Sequence, residues 1–148
     1  MLDDKYPDHI GWLLWRASQD WNQEFVDRMQ AAGHGWFTAA RSTLMGQVAP
    51  KGTKQGLLVD RIGSSKQAVQ QLIDGLEADG ILERIADVAD KRGRIVRLTD
   101  KGRAAMKDAN RIKLEIEAGY RARMGEDEFT QLSELLGKLR RSRGNPVA

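Results

Sequence analysis

The stretch from Gly63 to Thr99 constrains this chain most, because its hydrophobic period changes once, at a single glycine. Before Gly80, the apolar residues Ala68, Val69, Leu72, Ile73 and Leu76 recur at helical spacing. They predict one buried face of a helix over about Ser65 to Asp79, with Gly80 just past its end. Ser64 followed by Gln67 fits a capping box at its start. After Gly80, Ile81-Leu82-Glu83-Arg84-Ile85 and Ile95-Val96-Arg97-Leu98 read as two strands. The polar run Asp87 to Arg94 joins them. Upstream, a short helix is expected over about Lys54 to Arg61, carrying Leu57 and Leu58, with Gly63-Ser64-Ser65 as a tight turn. Helix, turn, helix, strand, basic loop, strand is the order of a helix-turn-helix followed by a β-wing.

The flanks read as helices. The first is expected from about Asp8 to Ala31, ended by Gly33 and Gly35. One of its apolar stripes is Ile10, Leu13, Leu14, Ala17, Trp21 and Phe25, and Trp12, Trp15, Val26 and Met29 form a second set roughly opposite. A helix apolar on two sides needs burial on two sides, and at the edge of a small domain a second subunit can supply it. Another helix is predicted over Thr38 to Val48, broken by Pro50-Lys51-Gly52. Thr99 can cap a long helix through about Arg123, with Met106, Ala109, Ile112, Ile116 and Tyr120 on one side. Met124-Gly125 ends it. Glu126, Asp127 and Glu128 open the last helix, whose stripe is Phe129, Leu132, Leu135, Leu136 and Leu139. The expected fold is mainly α with a small β-hairpin wing, a winged helix-turn-helix with N- and C-terminal dimerisation helices. Residues 1–35 hold the N-terminal dimerisation helix, 36–100 the winged helix-turn-helix and 101–148 the C-terminal dimerisation helices.

Composition removes several classes of function. The chain has no cysteine, which excludes disulfides, thiolate zinc sites and cysteine redox sensing. His9 and His34 are its only histidines, too few for a histidine-rich metal site. Neither neighbours Ser64, Ser65 or Asp74 in sequence, so no triad is expected. The glycine spacing matches neither the P-loop nor the dinucleotide fingerprint. The expectation is therefore a non-enzyme without cofactor. No apolar run approaches the roughly 20 residues of a membrane span, and the polar, acidic opening Met1 to Pro7 is no signal peptide. A cytoplasmic protein with no membrane partner is expected.

Charge is informative through its position. The whole chain carries +3, whereas Arg84 to Arg103 holds seven basic and three acidic residues, a local +4. Lys91, Arg92 and Arg94 crowd the tip of the expected hairpin. Such a tip can enter the narrow minor groove of duplex DNA, and Arg92 is the leading contact; the plainer reading is a solvated, charged hairpin. Gln67, Gln70, Gln71 and Asp74 share the helix face opposite the apolar one, and the three glutamines carry amides that match adenine edges. The plainer alternative is a solvated surface, and Gln67 has a competing task in the capping box. Lys66 and the hydroxyls of Ser64 and Ser65 suit phosphates at the helix start. Trp12, Trp15, Trp36 and Phe37 are candidates for an aromatic effector pocket or for packing. Lys138, Arg140, Arg141 and Arg143 suit the negative end of the last helix better than a DNA contact.

Three stretches together resemble the MarR family of bacterial regulators. They are Gly63-Ser64-Ser65-Lys66-Gln67-Ala68-Val69, Leu76-Glu77-Ala78-Asp79-Gly80-Ile81-Leu82-Glu83-Arg84, and Asp90-Lys91-Arg92-Gly93-Arg94 running on to Leu98-Thr99-Asp100-Lys101-Gly102. The match covers roughly Leu57 to Met106. The resemblance implies a triangular homodimer whose first and last helices entwine with the partner's. It also implies binding to a pseudo-palindromic site in double-stranded DNA, usually as a repressor released by a small aromatic effector. Asp90 would brace the wing through an ion pair with a nearby arginine, and Arg92 would reach the minor groove. Gly56 departs from the pattern, which favours a better helix former there. The rival reading is a winged-helix protein-interaction module that offers the same face to an acidic protein partner.

Overall fold

The computed structural model describes residues 9–144. Asp8, the expected first residue of the first helix, lies outside the described residues, as do the opening Met1 to Pro7 and residues 145–148. The chain divides into two compact units, one up to Asn110 and one from Arg111 onward, and the division falls within a helix.

In the first unit, α1 spans Ile10–Ala31, α2 Ala39–Met45, α3 Gln55–Ile62 and α4 Lys66–Ala78. The second half of α1 is anchored by Phe25 and Met29, both buried. These two were expected in opposite stripes. Residues four apart differ by only about 40° around a helix, so they share one side. Phe25 meets Phe37 edge to face, with centroids 5.1 Å apart. The first half of α1 is exposed in the single chain, including Ile10, Trp12, Leu13, Leu14 and Trp15.

The core gathers Leu44 and Met45 from α2, Leu58 from α3, and Val69, Ile73 and Leu76 from α4. Ile81, Leu82 and Val96 close it from the sheet side. The stripe that predicted α4 is therefore its buried face. The sheet itself differs from the expected hairpin. β2 (Leu82–Ala86) pairs antiparallel with β3 (Arg94–Leu98), Arg84 opposite Val96. A third strand, β1 (Thr53–Lys54), pairs with the other edge of β3, giving the order β1-β3-β2. Two residues are too few to show a period of two, so β1 is invisible as a sequence pattern. Gly52 allows it: its φ is +101°, and a Cβ there would sit 2.6 Å from Cγ2 of Ile95.

The ends of α4 are set locally. Ser65, extended at φ −61° and ψ 150°, is its N-cap, and its Oγ accepts the Ala68 N–H at 3.1 Å. The expected capping box on Ser64 and Gln67 is thus displaced by one residue, and Gln67 lies inside the helix with an exposed side chain. At the other end, Gly80 at φ +74° donates to the Glu77 carbonyl, and Ile81 donates to that of Leu76. That pair of bonds is a Schellman motif, with Ile81 and Leu76 supplying its apolar contact. α5 (Asp100–Met124) begins one residue after Thr99, whose Oγ1 accepts the Gly102 N–H at 3.0 Å.

In the second unit, α6 (Glu126–Gly144) buries Phe129 beneath the Arg121 guanidinium, 4.5 Å from the ring centre. Leu132, Leu135, Leu136 and Leu139 on the same stripe stay exposed in the single chain.

Candidate nucleic-acid interface

The interface builds outward from α4. Because Val69, Ile73 and Leu76 point into the core, the opposite face must point out. Lys66, Gln67, Gln71 and Asp74 are exposed there, and Gln70 is half-buried. Ser64 and Ser65 are exposed just before the helix. An α-helix leaves its first N–H groups unpaired, and the Ser65 cap uses only that of Ala68. The start of α4 thus presents N–H groups, two serines and a lysine together, which is chemistry suited to an anion.

The wing is shaped by its acids. Asp87 closes the base of the hairpin: its N–H donates to the Gly93 carbonyl and its Oδ1 accepts the Ala89 N–H. Its side chain is 9% exposed, and Lys54 Nζ from β1 approaches Oδ2 at 3.7 Å. That is an electrostatic contact longer than a hydrogen bond, which agrees with Oδ2 having no hydrogen-bond partner. Asp90 shapes the tip. Its Oδ1 accepts the Arg92 backbone N–H at 3.0 Å, and its carbonyl accepts that of Gly93 at 2.9 Å. The expected side-chain ion pair between Asp90 and an arginine does not form among the described residues. The carboxylate turns the backbone instead, since a residue two positions on lies within reach of a short acid. Lys91, Arg92 and Arg94 are left exposed at the tip.

Helix and wing face each other across a cleft of about 510 Å³. Lys66 and Gln70 line it from α4, Arg92 and Arg94 from the wing, and Lys54 from β1. The structure thus brings together Lys66, Gln70, Arg92 and Arg94 from the expected set, with Gln67 and Gln71 on the adjoining open face. Sequence reading missed Lys54 and Asp87. Asp87 stands at the first loop position, where a loop acid signals solvent; only its burial shows otherwise.

Arg84 on β2 is fixed from three sides. Its Nη2 pairs with Asp74 at 2.7 Å, its Nη1 with Glu77 at 3.1 Å, and its Nε donates to Gln55 Oε1 at 2.9 Å. At the back of α4, Arg41 from α2 pairs with Asp79 at 2.8 Å and donates to the Trp36 carbonyl.

The four candidate pocket aromatics fall into two pairs. Trp12 and Trp15 stack on each other, centroids 5.2 Å apart, in the exposed half of α1. Trp36 and Phe37 meet edge to face, and Phe37 reaches Phe25. Phe25 lies thirteen residues along α1 from Trp12, about 20 Å at helical rise. Within one chain the four therefore line no common cavity. Phe37 is a core residue, 1% exposed.

The sequence pattern of the MarR family matches residues 38–93, which contain the helix-turn-helix and most of the wing. Over that stretch, 56 of its 148 residues, the chain is similar to the MarR family. The Transcriptional regulator HosA of Escherichia coli O127:H6 is 27% identical over 128 residues, 86% of this chain and 88% of HosA. Wild-type MarR from E. coli, solved without ligand, superposes with a TM-score of 0.76 at 21% identity, covering 90% of this chain and 98% of MarR. The transcriptional repressor CouR, solved on a 23-mer DNA duplex, gives 0.73 at 24% identity, covering 89% of this chain and 92% of CouR. These likenesses confirm a winged-helix fold. Among the described residues, no helix is long and apolar enough to cross a membrane.

Proposed function

We propose that this chain is a transcriptional regulator, a homodimer that binds a pseudo-palindromic site in double-stranded DNA as a repressor. In this reading α4 enters the major groove and the wing tip the neighbouring minor groove. The carrying observation is the cleft between them, where the cations Lys54, Lys66, Arg92 and Arg94 outnumber the acids Asp60, Asp87 and Asp90 and Gln70 adds an amide. A phosphate ridge separates two adjacent grooves, so a reader of both needs a cationic cleft between its two probes. Gln67, Gln70 and Gln71 read base edges, while Ser64, Ser65 and Lys66 hold phosphates. Arg92 enters the minor groove, Lys91 and Arg94 add attraction to the backbone, and Asp90 holds the tip in shape. CouR on its duplex supports the reading by likeness of fold.

Residues 36–100 form the DNA-binding region, and residues 1–35 and 101–148 the dimerisation region. Two apolar surfaces support self-association: Ile10, Leu13, Leu14 and Trp15 on α1, and Leu132, Leu135, Leu136 and Leu139 on α6, all exposed in the single chain. Repression is released by a small molecule that prefers a different spacing of the two α4 helices. The contact of Trp36 and Phe37 with the core supports packing roles for that pair.

The deciding experiment selects bound duplexes from a random-sequence pool at two salt concentrations. A two-fold-symmetric site with half-sites about 10 base pairs apart is expected. Salt-sensitive binding without a preferred sequence would refute specific regulation and leave only a basic wing. Absence of binding at low salt would favour the protein-partner reading.

A further inference from the structure

Asp74 is out of place on a DNA-reading face. It lies one turn beyond Gln70 and Gln71 on α4, and its side chain is 66% exposed. A carboxylate there repels phosphates and can accept only from the amino groups of cytosine and adenine. Yet it is not a free charge. Arg84 Nη2 holds Asp74 Oδ1 at 2.7 Å, and the Arg84 side chain is only 17% exposed.

Every nitrogen of that guanidinium is engaged. Beyond Asp74, Nη1 pairs with Glu77 and Nε donates to Gln55 on α3. Glu77 also accepts the backbone N–H of Arg84 through Oε2 at 3.1 Å. One side chain on the sheet thereby grips both helices of the helix-turn-helix. A planar fork fixes direction as well as distance, which a lysine in its place would not do.

We propose that Arg84 is a positioning residue for DNA recognition and that Asp74 tunes its affinity, the pair forming a charge valve on the reading face. Arg84 neutralises Asp74 and turns it away from the phosphates, and together with Glu77 it sets the pitch of α4 against the wing. The inference rests on the proposed entry of α4 into the major groove. It assigns a role to two residues outside the DNA-contact set.

The test is a double-mutant cycle on the full-length protein, using a labelled duplex that carries the site selected by the wild type. Asp74→Asn removes one negative charge from the reading face and leaves Arg84 paired with Glu77. It is expected to tighten binding several-fold and to steepen the dependence of log K on log salt by up to about 0.9. Arg84→Gln bares the acid and is expected to weaken binding about ten-fold, the scale of one charge pair. In Asp74→Asn/Arg84→Gln most of that loss returns. A gain in affinity for Asp74→Asn, and recovery of the Arg84→Gln loss in the double variant, are signals that misfolding cannot produce. Unchanged or weaker binding by Asp74→Asn, or equal losses for Arg84→Gln in both backgrounds, overturns the proposal while leaving DNA binding by α4 intact. A wild type that selects no site overturns both readings at once.

Discussion

Arg92 shows how little of a functional side chain's environment needs to be built. Its backbone is fixed by Asp90, and its side chain is left in solvent. Its contribution is then charge and reach, so Arg92→Ala is expected to weaken DNA binding without lowering stability. The salt slope should fall by about one unit of counterion release, read by fluorescence anisotropy across a salt series. Ser65 is the contrasting case, because its Oγ serves the fold. Ser65→Ala is expected to cost about 1 kcal/mol in urea unfolding, the usual worth of an N-cap. Ser64→Ala should leave stability unchanged, and the reverse order would return the cap to Ser64. Gly56 offers a gain. It sits near the start of α3 with open space where a Cβ would go. Gly56→Ala is expected to stabilise by about 0.5 kcal/mol through lower unfolded-state entropy, again measured in urea.

At the scale of elements, the join between α4 and β2 decides whether helix and wing act together. Gly80 turns the chain at φ +74°, and Ile81 enters the core on the next residue. Thr99 Oγ1 donates to the Gly80 carbonyl while capping α5, so β3 and α5 hold the same turn. A side chain in the left-handed region costs about 1–2 kcal/mol. Gly80→Ala is therefore expected to lower the unfolding midpoint and, by tilting α4 against the wing, to weaken DNA binding more than stability alone explains. Comparison with a destabilised core variant such as Val69→Ala at equal stability separates the two effects. A proportional loss in both would reduce Gly80 to a purely structural turn.

For the molecule as a whole, the single chain leaves too much apolar surface outside. Leu135 and Leu139 on α6 are each more than half exposed, and Ile10 on α1 is 69% exposed. One scattered apolar residue is ordinary, but a stripe at helical spacing calls for a partner. Removing residues 126–148 is expected to give a monomer by analytical ultracentrifugation and to cost most of the affinity for a two-fold site, because two linked readers become one. A truncated monomer with unchanged affinity would sink the proposed dimer. Leu135→Glu/Leu139→Glu makes the same test without shortening the chain.

Local patterns carried much of this fold. The stripe of α4, its glycine stop and the two apolar runs after it are short-range features, set by side-chain period and backbone freedom, and each became the element expected. The concentration of Lys91, Arg92 and Arg94 was equally legible, since charge density along a hairpin needs no folding to be counted. What stayed hidden depends on residues far apart in the chain. β1 exists only because β3 offers an edge to two residues more than forty positions earlier. The cap fell on Ser65 because backbone angles, not residue types, chose between adjacent serines. Asp87 became a buried wing anchor when β1 brought Lys54 beside it. Asp74 looked like one more polar residue on an open face until the sheet set Arg84 against it. Periodicity is a property of neighbours and survives in the sequence; the pairing of charges is a property of distance in space, and packing alone supplies it.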